Sequence, residues 1–391
     1  MAELPAVEGT TDPRFTRVRE VFAENFAERD EVGAAVAVFV DGRPVVDLHG
    51  GFADQARTRP WQGDTLVNVY SCTKAMAALC LHRLVDEGLV DLDAPVARYW
   101  PEFAEAGKGE IPVRHLLSHR AGLAAVRDPL PPEALYDWEA MTEALAAQEP
   151  WWEPGAEHGY HAVTFGWLVG EVVRRVRGES LGSVFRKEVA APLGADFHIG
   201  LADAEHGRVA EMSPIPMGPA PDGEPSLAAA IQGDPEGLAA RAFLNPPSLA
   251  LGPNHAEWRR AEIPGANGHA GARDLARIYA ALACGGELDG VRLLSPEGIE
   301  RMREENAHGM DLVLGVSTRF GLGVMLGQDL PRSSFGPNRA AFGHPGAGGS
   351  VGFADPEARV AFAYVMNRMG PHVLLDPRAV ALIEATYDCL G

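Results

Sequence analysis

Phe15, Val18, Val21, Phe22 and Phe26 recur at helical spacing between charged positions, which predicts an amphipathic helix over residues 13–29. Two apolar runs follow, 34–40 and 45–51, and their junction at Asp41-Gly42 predicts a β-hairpin. Residues 65–69 alternate polar and apolar side chains, as a short strand does. Alanines with Met76, Leu79, Leu81 and Leu84 then predict a helix that stops near Gly88. Residues 113–122 read as a helix closed by Gly122, and 163–176 as another. Further on, Leu275, Ile278, Tyr279 and Leu282 share one face of a helix over 271–283. Strands dominate from there, at 320–326, 340–343, 350–354 and 360–366, before a last helix over 373–389.

Short connections between the late strands imply antiparallel neighbours. The early hairpin has an open edge that joining these strands would cover. An α+β fold follows: an antiparallel sheet built from both ends of the chain, flanked by the N- and C-terminal helices. Residues 1–78 and 266–391 are assigned to this sheet domain. Residues 79–265 form an inserted, mostly helical domain, with the Ser71 helix at the seam. Within the insert, 214–225 is rich in proline and glycine, and such irregular stretches often wall a pocket. Trp138, Phe243 and Trp258 are candidates for its lining, with core packing an equally good account of each.

Charge narrows the partners. The 391 residues are 46% apolar, enough for a large core, and carry a formal charge of -20. That balance argues against phosphate backbones and anionic membranes, so neither nucleic acid nor membrane is an expected partner. Cys72, Cys80, Cys284 and Cys389 are scattered, without a close metal-binding pair or a disulfide framework. They read as reduced thiols, Cys72 as a packing residue. The first residues have neither a basic start nor an apolar core, and no stretch reaches membrane-span length. A soluble cytoplasmic protein is expected, unless a signal peptide has been removed.

Candidate chemistry begins at Tyr70-Ser71-Cys72-Thr73-Lys74. Ser71 falls at a helix start, and Lys74 one turn later on the same face, so the hydroxyl and the amine are within reach. A serine becomes nucleophilic when a neighbour takes its proton, and a lysine does so when burial lowers its pKa. The chain holds 12 serines and three lysines, so about 0.1 such pairs would arise by chance. A capping serine with a snorkelling lysine is the plain alternative. Tyr160 follows a Trp/Pro/Gly turn and precedes a helix, where a side chain can project into a cleft. The stretch Gly343-His344-Pro345-Gly346-Ala347-Gly348-Gly349-Ser350 can bring backbone close to a substrate and expose an N–H to an oxyanion.

Together these segments resemble the serine β-lactamase and penicillin-binding-protein superfamily, specifically class C β-lactamases and family VIII carboxylesterases, over most of the chain. Ser71-Cys72-Thr73-Lys74 matches the first motif. Tyr160-His161-Ala162 stands where the family has Tyr-x-Asn, and His344-Pro345-Gly346 where it has Lys-Thr-Gly. The segment from Val113 to His119 is similar to a further stretch common in these proteins. The resemblance implies acyl transfer through an acyl-enzyme on Ser71, with Lys74 and Tyr160 sharing the proton work and no cofactor or metal. It makes Tyr160 the base, its pKa lowered by a lysine ammonium, and activator of the hydrolytic water. It also implies an oxyanion hole from the backbone N–H groups of Ser71 and Ala347, with His344 and Gly346 at the substrate.

Ala162 and His344 replace an asparagine and a lysine that serve β-lactam recognition in the β-lactamases. Their loss favours a short-acyl carboxylesterase acting on a small-molecule ester. A weak β-lactamase, a peptidase, an acyltransferase and a non-catalytic binding protein that keeps the fold are the alternatives. Two competing motifs remain. Gly348-Gly349-Ser350-Val351-Gly352 matches a nucleophile elbow, but a strand follows where a helix is needed, and His372 precedes Asp376. His115 and His119 lie four apart, yet the glutamate of the zinc motif is replaced by Leu116, so structural histidines are expected.

Overall fold

The main sheet draws its strands from both ends of the chain in the computed structural model, which describes residues 5–216 and 231–391. Strands β1 (Val7–Thr11), β2 (Gly33–Val40) and β3 (Arg43–Gly51) come first. Strands β4 (Ala307–Met310), β5 (Ser317–Phe320), β6 (Met325–Leu326), β7 (Phe342–Pro345), β8 (Val351–Asp355) and β9 (Val360–Met366) follow a long interval. Their order is β1-β3-β2-β9-β8-β7-β6-β5-β4, antiparallel at each step. The expected closure of the early hairpin is made by β9, which pairs Phe362 with Val38 and Tyr364 with Val36. Asp41 and Gly42 have φ of +51° and +74°, the two left-handed residues that a tight type I′ hairpin needs.

Helix α1 (Thr16–Glu28) packs on the C-terminal helix, while α2 (Cys72–Asp86) lies between β7 and α3 (Thr164–Arg177). Helix α4 (Ala272–Ala283) crosses β2, β8 and β9, and α5 (Pro377–Asp388) closes the chain. Nearly every residue of α2 from Cys72 to Leu84 is buried. A helix buried on nearly every side has no solvent face to offer. A short sheet of Val67–Asn68, Gly268–Ala270 and Phe197–Ile199 delivers the chain to its N-terminus. Among the described residues no helix is long and apolar enough to cross a membrane.

Several boundaries differ from the pattern reading, each for a local reason. The run 320–326 splits into β5 and β6, because Gly323 at φ +84° turns the chain between them. The helix expected to reach Gly122 covers only Val113–Leu117, since His119 takes φ +61°. Helix α5 starts at Pro377, where the Asp376 carboxylate accepts from the Arg378 N–H. Strands β1 and β4 were not foreseen; their sequences, Val-Glu-Gly-Thr-Thr and Ala-His-Gly-Met, lack an apolar alternation, and they form the sheet's two edges. Of the proline-rich stretch, residues 217–225 lie outside the described residues.

A buried ionic cluster ties α5 to the sheet. Arg378 bonds Glu31 at 3.0 Å, Asp376 at 2.8 Å and the Gly348 carbonyl at 3.1 Å, while the Tyr364 hydroxyl donates to Glu31. Burial raises the Glu31 pKa, and the nearby Arg378 opposes that rise. Removing the guanidinium would strand Glu31 in the core. Arg378→Ala is expected to destabilise the protein by about 3–5 kcal/mol, read from urea denaturation. An unchanged denaturation midpoint would contradict this role.

Candidate active site

The nucleophile candidate is set by backbone strain. Tyr70, immediately before Ser71, has φ +45°, a conformation uncommon for a bulky residue. Its carbonyl accepts from the Thr73 N–H at 3.0 Å, and the Thr73 hydroxyl accepts from the Gly268 N–H at 2.8 Å. This bracing leaves Ser71 at the N-terminus of α2, its side chain free of any capping bond and lining a cleft.

Lys74 is fully buried. Its Nζ lies 3.1 Å from Ser71 Oγ, 2.6 Å from the Ala162 carbonyl and 2.7 Å from the Gly265 carbonyl. Burial pushes its pKa well below that of an ordinary lysine, and among the described residues no carboxylate pairs with it. A neutral amine fits the three contacts: two N–H bonds reach the carbonyls and the lone pair accepts the Ser71 proton. Position 162 thus contributes its carbonyl, while its methyl side chain has no amide to offer substrate.

Tyr160 comes from a distant segment, yet it lines the same cavity as Ser71. Lys74 Nζ sits 4.6 Å from the centre of its ring. Burial pushes the phenol pKa up, opposite to the direction expected for a tyrosine base. The physical reason is that desolvation penalises phenolate and ammonium alike, so both groups are held neutral.

The glycine-rich strand end completes the group. A Cβ on Gly346 would stand 2.3 Å from the Val69 carbonyl, so only glycine lets β7 approach the Ser71 turn this closely. Ala347 and Ser71 line the same cavities, and among the described residues neither backbone N–H donates to a protein acceptor. His344 is buried with Nδ1 bonded to the Pro345 carbonyl at 2.7 Å, and Nε2 has no partner among the described residues. Burial, reinforced by Lys74, lowers its pKa to about 3, so the ring is neutral at ordinary pH.

The competing motifs come apart. Ser350 is buried, leads into β8 rather than a helix, and lines neither cavity at Ser71; Asp376 is engaged with Arg378. His119 turns inward against Tyr160 and Phe320, away from the half-buried His115 beside Gly155. Among the described residues no three His, Cys, Asp or Glu side chains are grouped to hold a metal ion. Cys72 is a buried thiol donating to the His344 carbonyl at 3.2 Å. Phe243 and Trp258 do line the cleft, whereas Trp138 packs on Gly170 and donates to Glu171.

One contributor was missed. Asp311 Oδ1 accepts from the backbone N–H groups of Tyr160 at 3.0 Å and of Val313 and Leu314 at 2.9 Å each. On the other side of Tyr160, the His161 N–H donates to His119 Nδ1 at 3.1 Å. No motif flags Asp311, because it works through backbone amides that any sequence supplies. Asp311→Ala leaves three buried donors unpaired and is expected to lower hydrolase turnover about tenfold or more through Tyr160. Asp311→Asn, which keeps an acceptor, should recover most of it; equal losses in both variants would contradict a positioning role.

The comparisons with known proteins agree with this geometry. The family described as "Beta-lactamase" matches residues 18–386. A Mycobacterium tuberculosis protein, "Esterase/beta-lactamase LipL", is 41% identical over 375 residues, covering 94% of this chain and 85% of its own. A crystal structure of a family VIII carboxylesterase superposes with a TM-score of 0.86 at 46% identity, covering 98% of this chain and all (100%) of its own. A penicillin-binding protein homologue from Caulobacter crescentus gives 0.89 at 46% identity, again with 98% and 100% coverage. With a buried Ser-x-x-Lys pair, a tyrosine lining the same cavity and this degree of similarity end to end, the chain belongs to the beta-lactamase family of serine hydrolases.

Proposed function

We propose that this protein is a carboxylesterase that hydrolyses neutral esters through an acyl-enzyme on Ser71. The observation that carries the reading is the buried Lys74 amine on the Ser71 hydroxyl inside a cleft whose described lining holds no lysine, arginine, aspartate or glutamate. A β-lactam carboxylate entering there would meet neither lysine nor arginine, and His344 stays neutral. A neutral ester needs no such partner.

In the proposed reaction the Ser71 proton passes to Lys74 as Oγ bonds the ester carbon. The carbonyl oxygen takes the negative charge beside the N–H groups of Ser71 and Ala347, helped by the positive end of α2. As the intermediate collapses, the bond to the alkoxy oxygen breaks and Tyr160 gives that oxygen its proton. The Lys74 ammonium then reprotonates Tyr160. Water repeats the sequence in reverse, adding to the acyl carbon and giving its proton to this pair. Serine leaves with a proton restored, and the acid is released.

The test is a set of single variants assayed by acid release from methyl butyrate, with fluorophosphonate labelling mapped by mass spectrometry. Ser71→Ala should abolish both labelling and turnover, and Tyr160→Phe should reduce turnover about 10²–10⁴-fold. Ser350→Ala should remain within about twofold of the parent. Full activity in Ser71→Ala, or nitrocefin turned over faster than any ester, would overturn the proposal. The pH profile adds a check. Because burial lowers the Lys74 pKa, the active amine is lost only as pH falls through that depressed value, so activity should persist well below pH 10. Lys74→Arg, which stays protonated, should be inactive throughout.

A further inference from the structure

Resting on the esterase reading, we propose that the cleft sorts its ester by size, placing a bulky apolar acyl group on one side of Ser71 and a one- or two-carbon alcohol on the other. Two cavities meet at the nucleophile and share Ser71, Ile215, Phe243 and Ala347. One has a volume of about 480 Å³ and an apolar wall that includes Met212, Leu249, Leu251, Trp258 and Met369. The other holds about 70 Å³, bounded by Leu314, Met325 and Leu374.

Proton delivery decides which half of the ester goes where. The departing oxygen must collect its proton from Tyr160, and Tyr160 lines only the small cavity. His344 lines it too, with Nδ1 committed to the Pro345 carbonyl. With the carbonyl oxygen at Ser71 and Ala347 and the alcohol beside Tyr160, the acyl chain extends into the large cavity. Apolar surface buried there favours longer or bulkier acyl groups, while a chain on the alcohol side would overfill 70 Å³. This reverses the short-acyl expectation drawn from the sequence.

The experiment compares methyl octanoate with heptyl acetate, isomers of equal composition, by acid release at matched concentrations. The expected result is a kcat/KM at least about tenfold higher for methyl octanoate. Leu374→Ala, at a half-buried position that widens the small cavity, should raise heptyl acetate hydrolysis and narrow the difference. Leu249→Trp, which fills the large one, should lower methyl octanoate hydrolysis by a larger factor than methyl acetate hydrolysis. Equal rates, or a preference for heptyl acetate, would overturn the size assignment, as would cleavage of p-nitrophenyl acetate alone. In each of those cases phosphonylation of Ser71 would leave the esterase reading standing. Neither isomer cleaved and no adduct on Ser71 would sink both.

Discussion

The chemistry of this molecule depends on an amine buried without a counter-ion. An ammonium at Lys74 would be a desolvated charge with two carbonyl dipoles, a hydroxyl and the Tyr160 ring face for company and no carboxylate among the described residues, one turn into a helix whose N-terminus already repels it. The neutral amine removes that penalty and satisfies every neighbour. Its two short contacts go to carbonyls, which can only accept, and the longer one goes to a hydroxyl, which can reverse its role. Proton affinity at the serine is thus set by burial, and burial is set by the packing of α2 between sheet and helices.

That packing fixes the other participants as well. The strained Tyr70 and the bare backbone of Gly346 are complementary: one lifts Ser71 out of the regular helix, the other lets the sheet edge come up against it. Tyr160 reaches the same point on a loop held by Asp311 and His119, so its position is tied to the core. These are constraints on backbone, and they tolerate little freedom in the side chains they carry.

Elements with a strong internal period were legible in the chain: the Asp41-Gly42 hairpin, α2, α3 and α4, and the β8–β9 pair with its turn. Ser71 and Lys74 could be read because their spacing encodes one helical turn. Tyr160 needed the resemblance to a known family, since nothing local distinguishes it from any tyrosine before a helix. What stayed hidden depends on distant partners. Edge strands β1 and β4 draw their structure from neighbours remote in sequence, Asp311 acts through amides, and the tyrosine pKa responds to burial that a sequence does not display. The rise in the tyrosine pKa has this same origin: a motif carries the identity of two groups, whereas their protonation belongs to the cavity around them.

The same desolvation that holds Lys74 neutral also bears on how a catalytic cycle would end. A neutral ester enters an apolar cleft at no electrostatic cost, but hydrolysis converts it to an acid that ionises on contact with water. Among the described lining residues there is no cation to hold that carboxylate, and the two N–H groups at Ser71 and Ala347 are its best partners. A carboxylate facing apolar walls is poorly solvated, so its free energy falls on leaving. In a cleft that retained a lysine at position 344, the product would be bound as firmly as a carboxylate-bearing substrate. If the proposed esterase reading holds, a histidine kept neutral by burial would weaken recognition of anionic substrates and speed departure of the anionic product, two consequences of one missing charge.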